Sequence, residues 1–119
     1  MSRRAALAAL ADIAAIVIFV AIGRRNHDEG TAVDGIATVA APFLIALVVG
    51  WIVARAWRNP MKVDTAFIIG PVTVALGMVL RNLVFDRGTA MPFIIVATIV
   101  VGVFLVGWRL IAARFSPNR

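Results

Sequence analysis

The chain has no cysteine and no tyrosine, a single histidine, and only two serines, Ser2 and Ser116, both near its ends. The missing cysteines exclude a disulfide scaffold and thiolate metal sites. The remaining residues offer no nucleophile beside a base: Asp12 and His27 fall at different levels of the chain, so no enzyme is expected. Charge is also scarce. Charged residues make up 15% of the sequence, against about 25% in an ordinary soluble domain.

Apolar residues fill the space. Of 119 residues, 62% are hydrophobic, and the mean hydropathy is +0.99. A soluble domain of this size buries only about two-thirds of its unfolded surface, so it could not hide so much hydrocarbon from water. That excludes a soluble enzyme, a disordered tail and a nucleic-acid-binding domain. The pI of about 11.8 does not reverse this, because the basic residues flank apolar blocks instead of forming one stripe.

A bilayer core requires about 20 apolar residues per helix. Four runs qualify: residues 5–22, 36–56, 66–85 and 92–112. Lone strands would leave backbone groups unpaired in lipid, and no alternating pattern is present. The expected fold is a single all-α membrane four-helix bundle over residues 1–119, with short connections. Arg3 and Arg4 before the first run and Ala21-Ile22-Gly23 after it loosely match a signal peptide, but Asp12 inside the run argues against cleavage.

Lys and Arg counts predict orientation. Eight lie on one side: Arg3, Arg4, Arg55, Arg58, Lys62, Arg109, Arg114 and Arg119. Four lie on the other, Arg24, Arg25, Arg81 and Arg87, beside the acids Asp28, Glu29, Asp34 and Asp86. The expectation is a plasma-membrane protein with both termini cytoplasmic.

Two passages are alike. Arg25-Asn26, Asp28-Glu29-Gly30-Thr31-Ala32 and Ala41-Pro42-Phe43 correspond to Arg81-Asn82, Asp86-Arg87-Gly88-Thr89-Ala90 and Met91-Pro92-Phe93. Gly50-Trp51 likewise corresponds to Gly107-Trp108. Gaps are needed to align them. A duplication would give two parallel two-helix hairpins related by an axis along the membrane normal. Without one, the likeness reflects proline at helix starts and Trp and Arg at interfaces.

Other residues carry a family resemblance. They are Asp12, Phe19, Gly23-Arg24-Arg25-Asn26-His27, Ala41-Pro42-Phe43, Gly50-Trp51, Ala54-Arg55-Ala56-Trp57-Arg58-Asn59-Pro60, the stretch from Pro71 to Arg81 with Gly77-Met78 and Leu80-Arg81 most typical, Phe93 and Gly107-Trp108-Arg109. Together they resemble the small four-span membrane proteins of actinobacteria and haloarchaea catalogued as a domain of unknown function. The likeness spans about residues 10–112. It implies a membrane location and four helices, and it brings no activity, substrate or catalytic residue. One departure is Phe67-Ile68-Ile69-Gly70-Pro71, where similar proteins often carry a Trp before the proline; it bears only on local packing.

Ionisable residues inside a membrane are candidate functional groups by default. Asp12 shares its face with Ala5, Ala8, Ala9 and Ala15, so it should face protein, as a coupling carboxylate or as a buried, bonded one. Arg81 follows Thr73 and Gly77 at helical spacing. It should point into the bundle near the outer surface or snorkel to the headgroups. With Arg24, Arg25 and His27 it forms a candidate outer site for an anion or lipid headgroup. At 1.5 Å per residue, Asp12 lies about 11 Å from the inner face, Arg109 about 5 Å and Arg81 about 22 Å. Depth therefore favours Arg109 as the partner of Asp12.

His27 with Asp28 and Glu29 is too sparse for a metal site, and no cofactor is expected. Trp51, Trp57 and Trp108 fit a cytoplasmic aromatic belt. Pro71 should kink the third helix, freeing carbonyls that could line a site. Ala46, Gly50 and Ala54 mark a helix contact, within one chain or between chains. The leading functional expectation is a small oligomeric transporter or channel with an outer anion or headgroup site. The alternative is an accessory subunit of a larger membrane complex.

Overall fold

A computed structural model describes residues 2–26, 33–83 and 91–115. It contains four helices: α1 (Arg3–Asn26), α2 (Val33–Ala54), α3 (Val63–Leu83) and α4 (Met91–Phe115). Each is long and apolar enough to cross a membrane. Each packs on its neighbour in sequence, and α4 closes on α1. The backbones of the diagonal pairs, α1 with α3 and α2 with α4, do not approach closely among the described residues. The chain is thus an all-α membrane four-helix bundle, a ring of helices running up, down, up and down.

Local chemistry sets the ends. The Ser2 hydroxyl accepts from Ala5 N at 3.0 Å, which caps one of the free donors of α1. Asp64 sits in the first turn of α3 and Arg114 in the last turn of α4, each complementing the helix dipole. Pro92 lies in the first turn of α4, where its missing N–H costs nothing.

The end of α2 departs from expectation. The apolar run continues to Ala56, but the helix stops at Ala54 because Arg55 turns left-handed, with φ of 50°. Arg55 N then donates to Ile52 O at 3.2 Å and Ala56 N to Trp51 O at 3.0 Å. This is a Schellman cap built on arginine where glycine is usual. The connection to α3 is held in turn by Thr65 Oγ1 donating to Asn59 O at 2.7 Å.

Helices in lipid gain little from hiding hydrocarbon, so close packing must hold them together. The α2–α3 interface is the most extensive. There a Cβ on Gly50 would lie 3.3 Å from Ile69 O, and one on Gly77 would overlap the Phe43 ring. Ala46 is fully buried and Thr73 is buried with it. The small-residue run of α2 therefore makes its contact within the chain. The core continues through Ile16, Phe43, Ile69, Val101 and Leu105. Leu7, Leu10, Ile45, Ile52, Phe67, Ile99, Val103 and Phe115 are exposed on the outside, as lipid contact requires.

Candidate functional site

The site begins with the alanine face of α1. Ala5 and Ala8 are fully buried, and Ala15 nearly so. Their small side chains let neighbouring helices approach, and Asp12 is carried inward with no exposed surface. It lies about 14 Å along α1 from Arg3, at 1.5 Å per residue.

Asp12 meets Arg109 of α4, as depth suggests. Arg109 Nη1 donates to Asp12 Oδ1 at 2.9 Å, and Nη2 donates to Oδ2 at 2.8 Å. Both side chains are fully buried. Arg109 Nη1 also donates to Leu105 O at 3.0 Å, one turn back on its own helix. Its Nε donates to Pro60 O at 2.9 Å, which brings in the connection between α2 and α3. The guanidinium lies over the Trp108 ring, with Cζ 4.4 Å from the centroid, adding a cation–π contact.

Two tryptophans complete the shell. Trp51 Nε1 donates to Asp12 Oδ2 at 2.9 Å, and Trp108 Nε1 donates to Oδ1 at 2.7 Å. The expected aromatic belt therefore needs correction at two of its three members. Trp51 and Trp108 are half-buried and turn their N–H groups inward, while Trp57 is 47% exposed. An indole N–H in apolar surroundings requires an acceptor, and the Asp12 carboxylate supplies one. The two Gly-Trp pairs of the alike passages thus reach one carboxylate, one indole on each oxygen.

Each Asp12 oxygen accepts two hydrogen bonds, which fills the carboxylate's capacity of about four. No lone pair remains for a proton or cation unless a donor leaves. An isolated charge in hydrocarbon is expensive, and this complete shell offsets that cost. The network ties α1, α2, α4 and the α2–α3 connection at one level. Its chemistry is that of a junction.

The other candidates lie elsewhere. Arg81 is half-buried near the end of α3, on the face that carries buried Thr73 and Gly77. Arg24 and Arg25 fall within α1, but their side chains lie outside the described residues, as does His27. Pro71 is inside α3 and exposed, as is Phe67, whose carbonyl loses its usual donor. That part of the helix faces outward instead of lining an internal site.

Residues 9–112 match the family model described as a protein of unknown function, DUF3054. No curated protein and no solved structure matches the chain.

Proposed function

The chain belongs to the DUF3054 family, whose description assigns no activity, and on that premise we propose that it is a non-catalytic accessory or interaction subunit within a larger membrane complex. The observation that carries this reading is the saturated Asp12 carboxylate, with four donors on two oxygens. A coupling carboxylate in a transporter must exchange its ligands. This one is committed to holding helices together. The outer surface supports the same reading. Only 22% of the α4 span is buried inside the bundle, against 44% for α3, so α4 offers the widest face to a partner membrane protein. Both termini lie in the cytoplasm on the basic-residue count.

A second reading keeps one specific support. The Thr73 hydroxyl is fully buried and makes no hydrogen bond among the described residues. It lies two turns from Arg81 on the same face of α3. An oligomeric anion channel or transporter would use that face from the outer side, where the basic-residue count also places Arg24, Arg25 and His27.

Two experiments separate them. Native mass spectrometry from mild detergent should show the chain with a second, stoichiometric membrane protein; free chains or self-oligomers alone would overturn the accessory reading. Liposomes containing the purified protein should pass chloride and phosphate no faster than empty ones. Flux that Arg81→Ala abolishes would establish the channel instead.

A further inference from the structure

A groove of about 310 Å³ runs along the outside of the bundle between α1 and α2. Ala9 and Ile13 form one wall, Leu44, Val48 and Ile52 the other, and Trp51 and Trp57 close the end nearest the termini. Apart from the two indoles the lining is hydrocarbon. From Leu44 to Ile52 the groove spans about 12 Å at 1.5 Å per residue. Its hydrocarbon lining suits a polymethylene chain.

The closed end is basic. Arg55 and Arg58 flank Trp57 in sequence, and both are exposed. Arg3, Arg4, Lys62 and Arg114 are exposed at the same end of the bundle, where Asp64 is the one exposed acid among the described residues. Exposed Trp beside Arg is the pattern of a headgroup-level anchor. A guanidinium offers a rigid fork of donors to phosphate.

We propose that this groove holds one acyl chain of an anionic phospholipid, with the phosphate bound by Arg55 and Arg58. The chain would lie against Trp51, whose N–H bonds Asp12, and so would cover the lipid side of the buried network. This site does not depend on whether the protein serves a partner or conducts an anion.

The test uses the full chain in phosphatidylcholine vesicles containing either phosphatidylglycerol or phosphatidylcholine brominated on the acyl chain, with tryptophan fluorescence as the readout. At equal mole fraction, brominated phosphatidylglycerol should quench at lower concentration, by about fivefold for each arginine that binds it. Arg55→Gln with Arg58→Gln should abolish the preference, while Arg114→Gln on α4 should leave it intact. Ala9→Phe, which fills the groove, should weaken quenching by both lipids; Val48→Phe serves if that variant does not fold. Equal quenching of the native protein by both lipids would mean ordinary annular lipid and would overturn the proposal. So would a preference that survives loss of both arginines. Absence of quenching together with a stable dimer in native mass spectrometry would assign the groove to a second copy and overturn it likewise.

Discussion

Asp12 and Arg109 stand 97 positions apart in sequence and meet as a two-pronged ion pair at 2.8 and 2.9 Å, with neither side chain exposed. The pair joins α1 to α4, the least extensive interface of the ring. One electrostatic junction thus compensates for thin packing. Removing one member leaves the other charged and buried, at a cost of about 3–5 kcal/mol. Asp12→Leu and Arg109→Met should each lose about that much in unfolding experiments in detergent followed by circular dichroism. Asp12→Leu combined with Arg109→Met should lose less than the two single losses added together. Its recovery stays partial, because the two indoles still lack their acceptor.

The tryptophans should separate by face. Trp51→Phe and Trp108→Phe each remove a hydrogen bond to a charged group, a loss of about 1.5–3 kcal/mol. Trp57→Phe, at an exposed position, should stay within about 0.5 kcal/mol. Thermal unfolding of the three variants side by side checks this. Equal behaviour of all three would sink the assignment of Trp51 and Trp108 to the network.

Gly77 is the tightest point of the α2–α3 interface. A Cβ there overlaps the Phe43 ring, which is fully buried and has nowhere to move. Gly77→Ala should cost about 1–3 kcal/mol, and Phe43→Leu on that background should restore part of it. Gly102→Ala meets nothing within 4 Å. It should gain about 0.5–1 kcal/mol from helix propensity.

Arg55 holds a left-handed conformation that only glycine adopts freely. Arg55→Gly should therefore raise stability by about 0.5–1 kcal/mol in lipid-free detergent. Measuring without lipid keeps the lost charge out of the comparison.

The cysteine-free sequence makes orientation easy to test. Ser2→Cys and Ser116→Cys should resist a membrane-impermeant thiol reagent in intact cells, and Gly88→Cys should react. The opposite labelling pattern would invert the proposed topology.

Much of this architecture is legible before any coordinates. Four apolar runs give four helices, because lipid permits little else. The alanines around Asp12 announce a buried face, and depth leans to Arg109 as its partner while leaving Arg81 open. Trp51 and Trp108 are harder to read. Depth places them near an interface, where tryptophan is common, but depth does not say which way an indole turns. The useful signal is that both lie near the level of a buried carboxylate that requires donors. Pro60 could not be found this way, since it contributes a backbone carbonyl, and every residue has one. The end of α2 is misplaced for a related reason: hydropathy sees Ala56 as apolar and is blind to the left-handed turn at Arg55.

The closure of the ring by its first and last helices has a consequence for biosynthesis. Asp12 enters the bilayer first, and its counter-charge is made last. Until α4 is made, the nascent protein carries a carboxyl group without its arginine partner. A chain stalled before α4 holds that polar group unpaired in the membrane, at the desolvation cost that the finished network offsets. The same contact that stiffens the finished molecule thereby distinguishes complete chains from incomplete ones.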